Sequence, residues 1–258
     1  MYSASIDFEI HGKITEAGVD AVLWLLSIWF KNGQLSHDVF PLVQIDQMLR
    51  AYVQIPAKDS LSKKYSNKFL SLALKRLGTE DIGTPSIRVL GFDPASVRPC
   101  KCKQRTSHIL FTTYLSQESP LRCGDCFGPI PLYLIPHTSG DEHWDVMQWA
   151  FNYAACDTLQ MGCTVGEKFG ERELLDVESN LSAQGRAVCA SIAITTGLPT
   201  YYFLSKCRAR SLVSEKRRMY PVCGDAWVLE KPWHNKFDFK CDACLLLSNF
   251  AYSVRYRS

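Results

Sequence analysis

The apolar residues near the start of the chain follow two different periods. Residues 3–11 alternate apolar and polar side chains, which predicts a half-buried strand. Residues 17–31 are apolar nearly all round and predict a buried helix that ends at Asn32 and Gly33, where glycine permits a left-handed stop. Residues 49–55 alternate again, so a second strand is expected there.

A second helix and a third strand are expected next. Ser66 is the predicted N-cap of a helix in which Leu70 and Leu77 share one face. Residues 87–92 follow as an apolar strand. The resulting β-α-β-α-β order predicts an N-terminal α/β sandwich domain over residues 1–95, in which helices cover one sheet.

The middle of the chain predicts strands around a cysteine turn, followed by helices. Residues 130–135 are expected to form a return strand at a sheet edge, because nearby prolines cannot donate hydrogen bonds to a ladder. Helical periodicity follows and extends over residues 167–196, where Ser182 is a predicted cap. With a strand over residues 200–204, this segment forms a central domain, residues 96–205.

The tail predicts a small β module. Residues 227–229 and 237–239 form two expected strands between cysteine turns, which is the layout of a zinc ribbon, so residues 206–258 make a third domain. The predicted fold class is therefore α+β. It combines an N-terminal α/β sandwich, a central four-cysteine zinc site with a helical segment, and a C-terminal zinc-ribbon-like β module.

Composition favours a reducing compartment. The chain has 258 residues, which is enough to bury its own core. Its eleven cysteines are an odd number and are unevenly paired along the sequence, which favours thiols and metal ligands over disulfides. The start of the chain lacks the basic and apolar segments of a signal peptide. The most apolar run, residues 21–30, is too short for a membrane span, which needs about 20 residues. We therefore expect a cytoplasmic protein that does not enter a membrane.

Four cysteines in two close pairs carry the strongest chemical signal. Cys100 and Cys102 are followed, after a gap of 20 residues, by Cys123 and Cys126. Two short turns of this kind can aim four thiolates at one tetrahedral ion, and Gly124 permits the tight bend of the second turn. We predict a structural zinc site. Disulfides, a reactive Cys-x-x-Cys pair and unmetallated core cysteines are the alternatives.

A second group of cysteines has the spacing of a zinc ribbon that lacks one ligand. Its members are Cys223, Cys241 and Cys244. Tyr220 stands where the first turn of a ribbon would place a cysteine, and a phenol is a poor substitute for a thiolate. Either Cys207 or His234 serves as the fourth ligand, or the module has lost its metal and is held together by its aromatic residues.

Positive charge is concentrated in the tail. Residues 1–205 contain 18 Lys and Arg against 21 Asp and Glu, whereas residues 206–258 contain 11 against 5. Cations near Trp227, Trp233 and Phe237 could neutralise phosphates while a ring stacks on an unpaired base, which makes the tail a candidate nucleic-acid interface. A solvated charge run beside a small aromatic core would give the same pattern. The candidate residues are Arg208, Arg210, Lys216, Arg217, Arg218, Lys236 and Lys240.

The chain offers no recognisable combination of nucleophile, base and electrophile. A four-cysteine centre leaves no position for a metal-bound water, and the sequence has no glycine-rich phosphate loop. Cys156 is more simply explained as a packing residue than as a nucleophile. We therefore expect binding without catalysis, and no small-molecule substrate.

A protein partner is the alternative to nucleic acid. A compact cytosolic chain without catalytic residues suits an immunity protein that neutralises a bacterial nuclease toxin by shape and charge. Nuclease toxins are basic around their active sites, and this chain offers carboxylates at residues 141–145 and 167–178. The same carboxylates equally suit ordinary solvated helix faces.

Several segments together carry a family resemblance across most of the chain. They are residues 119–126, 131–133, 156–157, 181–186, 197–202, 223–227 and 237–244. On these segments the chain resembles an uncharacterised bacterial family of zinc-ribbon-containing proteins for which nucleic-acid binding has been suggested. The resemblance implies zinc and, from the ribbon alone, nucleic acid. Tyr220 departs from the ribbon pattern and puts the C-terminal metal in question.

Overall fold

The computed structural model describes residues 1–140, 142–219, 221, 223–224 and 226–255. Tyr220 and Asp141, on which two of the sequence-based interpretations depend, lie outside these residues. The described chain is α+β, as the sequence predicts, and contains two sheets. It divides into two compact units. The N-terminal unit comprises Met1–Pro99, Gln117–Ser119 and Gly128–Trp144, and the C-terminal unit comprises the other described residues.

The N-terminal unit is built on a β-α-β-β-α-β order. Its elements are β1 (Tyr2–Glu9), α1 (Glu16–Lys31), β2 (Leu42–Ile45), β3 (Met48–Ile55), α2 (Lys68–Thr79) and β4 (Ser86–Phe92). The strands form an antiparallel sheet in the order β2-β3-β1-β4, which with this order of elements is the ferredoxin-like arrangement. The predicted order lacks β2, whose side chains are mostly exposed and give no alternating signal.

The alternation along β1 marks the core of this sheet. Ile6 and Phe8 are fully buried, and α1 and α2 contact each other over the buried face. The N-cap of α1 is Thr15, whose hydroxyl accepts a hydrogen bond from a helix amide. After the helix, Gly33 has a φ of 72°, and a Cβ there would lie 2.5 Å from the Cβ of Leu132. Gly33 is therefore needed both for its left-handed backbone and for the close approach of Leu132.

The segment 130–135 is not the strand that the sequence predicts. Leu132–Leu134 form a single 3-10 turn, and the hydroxyls of Ser60 and Tyr133 are hydrogen-bonded at 3.0 Å within the N-terminal unit. Pro129 and Pro131 carry no N–H group, so this segment cannot build a regular ladder. It is held instead by side-chain contacts.

The C-terminal unit contains a six-stranded sheet and most of the helices. Its elements are β5 (His108–Leu110), β6 (Leu121–Cys123), α3 (Trp144–Gly162), α4 (Glu167–Leu175), α5 (Asn180–Thr196), β7 (Thr200–Leu204), α6 (Leu212–Lys216), β8 (Val228–Trp233), β9 (Phe237–Cys241), β10 (Leu246–Ser248) and α7 (Tyr252–Arg255). The strand order is β6-β5-β7-β10-β9-β8, and β7 is parallel to both of its neighbours. In the described part of the chain, every helix is too short or too polar to traverse a lipid bilayer.

One sheet unites segments that the sequence assigns to separate domains. β10 pairs in parallel with β7 and antiparallel with β9, so the tail strands continue the sheet of the central segment. The sequence does not indicate β10, because three residues are too few to show a period. The proposed boundaries near residues 95 and 205 remain predictions.

Two predicted helix caps are wrong. The N-cap of α2 is Asn67, not Ser66, and its side chain accepts from a helix amide at 2.9 Å. The N-cap of α5 is Ser179, not Ser182, and its Oγ accepts from the amide of Ser182 at 3.1 Å. Both regions contain several good capping residues in succession, so composition alone does not select the residue whose backbone is extended.

The two faces of the larger sheet have different coverings. On one face, Tyr202 of β7 lies beside Trp149 of α3, with ring centroids 6.1 Å apart, and against Gly185 of α5. The opposite face carries a continuous buried apolar cluster. Its members are Ile109, Phe111, Tyr201, Phe203, Phe237 and Leu247, with Phe127, Trp233 and Leu245 packed against them.

Candidate metal centres

The first cysteine centre consists of Cys100, Cys102, Cys123 and Cys126. Their sulfur atoms all lie within 4.8 Å of one another. Cys123 is the last residue of β6 and is buried, Cys126 lies in the turn that follows, and the other pair lies in the loop before β5. Four sulfurs at this separation suit a single tetrahedral metal ion.

The turn between Cys123 and Cys126 requires a glycine. A Cβ on Gly124 would lie 1.9 Å from the Oγ of Ser107, and the Gly124 amide donates to the Ser107 carbonyl at 2.9 Å. The amide of Phe127 donates to the carbonyl of Cys123 at 2.8 Å and closes the turn. The backbone hydrogen bonds of Gly124 and Phe127 therefore hold the two cysteines of this turn in position.

Asp125 ties this turn to the loop before β5. Its carboxylate accepts hydrogen bonds from the amide of Thr106 at 3.0 Å and from the Thr106 hydroxyl at 2.6 Å. These hydrogen bonds lower the pKa of the Asp125 carboxyl. An ionised carboxylate with two donors orients the residues beside a metal without itself being a ligand.

The thiols of the first centre differ in how easily they ionise. Burial raises the pKa of Cys123 to about 11. Burial also raises the pKa of Cys100, but hydrogen bonds from Arg105 and from the Cys102 amide outweigh it and bring the value to about 7. Cys100 is thus close to ionising at neutral pH, whereas Cys123 needs the charge of a metal ion to become a thiolate.

The second cysteine centre consists of Cys223, Cys241 and Cys244, whose sulfurs also lie within 4.8 Å of one another. Cys241 ends β9 and Cys244 lies in the turn before β10, while Cys223 is exposed. Of the residues that the structure describes, only these three make up the group. This centre is more open to solvent than the first, because none of its members is buried.

Neither residue predicted as a fourth ligand belongs to the second centre. His234 lies beside the first centre, where its Nε2 is 2.7 Å from the carbonyl oxygen of Gly124. Cys207 is half-buried, and burial raises the pKa of its thiol to about 11.

Two of the candidate phosphate-binding residues are engaged within the protein. Arg208 lies 3.0 Å from the carboxylate of Glu167 and 3.5 Å from that of Glu171. Arg218 donates to the carbonyl of Asn249 at 2.9 Å, and its side chain is only 19% exposed. Arg218 is therefore a structural residue, and Arg208 is already partly neutralised.

The remaining candidate cations are nearer to solvent. The exposed ones outside the hairpin are Arg210, Lys216 and Arg217. Lys236 is exposed, with its Nζ 5.4 Å from the ring centroid of Phe111. Lys240 is half-buried, 2.7 Å from the carboxylate of Asp242 and 5.0 Å from the ring centroid of Trp233.

Burial separates the aromatic residues expected beside these cations. Trp227 and Phe237 are buried, so neither ring can stack on a base. Trp233 is half-buried, and its ring stacks beside that of His234 with centroids 5.1 Å apart. Of the three rings, Trp233 is the one that remains accessible.

Sequence reasoning misses two contributions to the first centre. No spacing rule connects Asp125 with Thr106, although the position of Asp125 between two cysteines is a weak signal. His234 is recognisable in the sequence as a polar residue near the cysteines, but its contact with the turn at Gly124 depends on the fold.

The fold and the cysteines define a class of protein: an α+β chain with two groups of thiols at metal-binding distance. Three family models match successive parts of it, each described as a domain of unknown function. DUF8589 matches residues 1–91, DUF2310 matches residues 102–205, and DUF8594 matches residues 209–254.

Two relatives from Haemophilus influenzae, each described as an uncharacterized protein, are similar to this chain. The first is 34% identical over 229 residues, which are 87% of this chain and 88% of the relative. The second is 41% identical over 145 residues, which are 56% of this chain and 71% of the relative. The chain belongs to the same bacterial family as these proteins, and the DUF2310 model covers the central part of this chain.

One solved structure has a weak likeness to part of the chain. It is a crystal structure from Deinococcus radiodurans, described as a candidate antibiotic biosynthesis monooxygenase, with 9% sequence identity and a TM-score of 0.28. The match covers 37% of this chain and 96% of the other. The zinc-ribbon character and nucleic-acid binding that the resemblance implies remain predictions.

Proposed function

We propose that this protein is a non-enzymatic zinc protein that binds nucleic acid through the surface of its C-terminal unit. The zinc proposal rests on one observation: the four sulfur atoms of the first centre lie within 4.8 Å of one another. Paired cysteine turns supplying four thiolates are typical of structural zinc sites. All eleven cysteines are free thiols, which supports a reducing, cytoplasmic setting for such a site.

A structural role fits the surroundings of the first centre. Four thiolates complete the coordination of zinc and leave no position for a reactive water. The turn between Cys123 and Cys126 follows β6 directly, and β6 is an edge strand of only three residues. A metal ion would hold this short edge in place, much as a longer strand would be held by its ladder.

The β8–β9 hairpin and its neighbours support the nucleic-acid part. Lys236 is exposed and lies three residues after Trp233, whose ring is half-buried, and Arg217 and Lys216 lie at the surface of the same unit. Cations that release counterions from phosphates, together with an accessible ring, are the features of single-strand binding. Arg218 is left out of this surface because its side chain is only 19% exposed, and Arg208 because two carboxylates contact it.

Several of the carboxylates that the toxin-binding alternative requires are engaged by other residues of this protein. Glu167 and Glu171 contact Arg208. Glu173 is buried and accepts a hydrogen bond from the amide of Leu181 at 3.1 Å. These carboxylates therefore serve contacts within the C-terminal unit. A catalytic thiol also gains no support, because burial raises the pKa of Cys156.

Metal analysis of the purified chain tests the zinc proposal. We expect at least one equivalent of zinc that survives extensive dialysis, and loss of cooperative folding in the C-terminal unit when a strong chelator removes it. A well-folded protein that never contains metal would contradict the proposal.

Fluorescence anisotropy with a labelled single-stranded oligonucleotide tests the nucleic-acid part. Arg217→Ala and Lys236→Ala should each weaken binding at low salt and reduce the slope of log affinity against log salt by about 0.7 if one phosphate contact is lost. Lys75→Ala is the matched control, since Lys75 is an exposed cation of the N-terminal unit. Absence of binding at every salt concentration would reject nucleic acid as the partner and leave the zinc proposal standing.

A further inference from the structure

A hydrogen bond joins the tail hairpin to the first cysteine centre. The Nε2 of His234 lies 2.7 Å from the carbonyl oxygen of Gly124, and since a carbonyl can only accept, the ring nitrogen is the donor. Gly124 follows Cys123 directly, inside the turn that carries two of the four sulfurs. The bond therefore connects the metal-binding turn with a residue 110 positions further along the chain.

The same imidazole packs against two aromatic rings. The ring centroids of Phe127 and His234 are 5.3 Å apart with planes inclined by 28°, and those of Trp233 and His234 are 5.1 Å apart with planes inclined by 25°. Phe127 follows Cys126 directly. His234 thus contacts both Gly124, which follows Cys123, and Phe127, which follows Cys126.

The backbone of the hairpin fixes the position of this ring. His234 and Asn235 have φ values of 54° and 56°, and the amide of Lys236 donates to the carbonyl of Trp233 at 3.1 Å. Positive φ at both central residues is characteristic of a type I′ turn. The ring is therefore presented by β8 and β9 together.

We propose that His234 is a positioning residue for the first cysteine centre, and that it couples metal occupancy of that centre to the order of the β8–β9 hairpin. The inference rests on the proposed function, because it requires metal at the first centre. A metal ion would fix the turn that presents Gly124 and Phe127 to His234. Coupling between two binding events is reciprocal, so a hairpin held by that turn also retains the metal more tightly.

The coupling has a consequence for the proposed nucleic-acid surface. The hairpin carries Trp233 immediately before His234 and Lys236 two residues after it. When the first centre is loaded, the hairpin is anchored and these side chains are preorganised, which lowers the cost of ordering them on a ligand. Zinc at the first centre would thereby promote binding at a surface that contains none of its ligands.

Zinc release from the full-length protein tests the coupling. A Cys223→Ser background leaves only two thiolates at the second centre, so release to a chromophoric chelator reports the first. His234→Asn tolerates the left-handed backbone and removes the imidazole ring together with its donor. We expect release about tenfold faster or more for His234→Asn. His11→Asn, at an exposed histidine of the N-terminal unit, should leave the rate unchanged.

Hydrogen exchange provides a second readout that needs no substitution of His234. Removing the metal from the Cys223→Ser protein, in which only the first centre keeps its full set of thiols, should reduce amide protection over residues 228–241, while protection of β1 and β3 in the N-terminal unit stays the same. Equal zinc release from His234→Asn and its background, or unchanged hairpin protection after metal removal, would overturn the coupling alone. A protein shown by metal analysis to carry no zinc overturns the proposed function, and the coupling with it.

Discussion

Gly185 in α5 lies directly against the ring of Tyr202 in β7. A Cβ built on Gly185 would lie 2.2 Å from Cε2 of Tyr202 and 2.6 Å from Nε1 of Trp149, far inside van der Waals contact. Gly185 is thus a point at which α5 packs directly against the six-stranded sheet. Its role is to let a helix and a strand pack without a side chain between them.

We expect Gly185→Ala to lower the free energy of unfolding. Alanine gains about 1 kcal/mol in helix propensity, but inserting a methyl group between two buried rings costs about 1–3 kcal/mol or more, since neither ring can move freely. Gly78→Ala in α2 is the control, because a Cβ there meets nothing within 4 Å. Urea denaturation should show a loss for Gly185→Ala and a small gain for Gly78→Ala. Equal effects at both sites would contradict the close contact.

The buried imidazole of His143 should make the N-terminal unit sensitive to acid. Burial, with a smaller contribution from His137, lowers the pKa of His143 to about 3. The unfolded chain has the ordinary histidine pKa of about 6.5, so it binds a proton between these values while the folded chain does not. Stability is therefore unaffected by this group above about pH 6.5 and declines as the pH falls towards 3. At about pH 4.5 the loss attributable to His143 is on the order of 2–3 kcal/mol.

Urea midpoints measured at neutral and acidic pH for the wild type and for His143→Phe would detect this dependence. The phenyl ring cannot be protonated, so the variant should lose less stability on acidification even if it is less stable at neutral pH. His11→Phe, at an exposed histidine, should retain the pH dependence of the wild type. A variant of His143 that is as acid-sensitive as the wild type would show that this imidazole is not responsible.

Two adjacent arginines should respond in opposite ways to substitution. Arg218 donates to the Asn249 carbonyl at 2.9 Å and lies 4.1 Å from the ring centroid of Phe239, whereas Arg217 is exposed. Arg218→Ala should lower the free energy of unfolding by about 2 kcal/mol, because it leaves a buried carbonyl without this charged donor. Arg217→Ala should change stability by less than about 0.5 kcal/mol. Thermal denaturation separates the two. A stable Arg218→Ala protein would place this guanidinium among the surface cations instead.

Removal of one sulfur from the first centre should cost both metal and stability. Cys123→Ser replaces a buried ligand, and we expect it to lose the zinc of that centre and to unfold or aggregate. Cys163→Ser is the matched control, since Cys163 is exposed and belongs to neither cysteine group. Metal content and melting temperature are measured together. Full zinc retention in Cys123→Ser would exclude this residue as a ligand.

Local patterns account for much of what the sequence predicts. The alternation of residues 3–11 and 49–55 gives β1 and β3, the continuous apolar run gives α1, and the tail pattern gives β8 and β9. These features depend on neighbouring residues, for which hydrophobic periodicity is a direct physical signal. Where the signal is weak, as in the exposed β2 and the very short β10, the prediction is incomplete.

The residues of the candidate site are likewise predicted only in part from the sequence. The pairing of cysteines in short turns predicts which sulfurs converge at the first centre, because ligand spacing is a local property. The sequence gives equal weight to Arg217 and Arg218 as phosphate-binding residues, and it offers His234 as a ligand of the second centre. The partial burial of Arg218 and the contact of His234 with Gly124 are set by how the strands pair, which no local pattern specifies.

The sequence by itself determined the α+β class, the main strands and helices, and the grouping of thiols, since each follows from the order and spacing of residues along a short stretch. Only the tertiary structure decided that one sheet runs from β6 to β8, that Gly185 must lack a side chain, and that the hairpin reaches the first centre. Those outcomes depend on contacts between residues far apart in the chain, whose energies arise only when the segments are packed together.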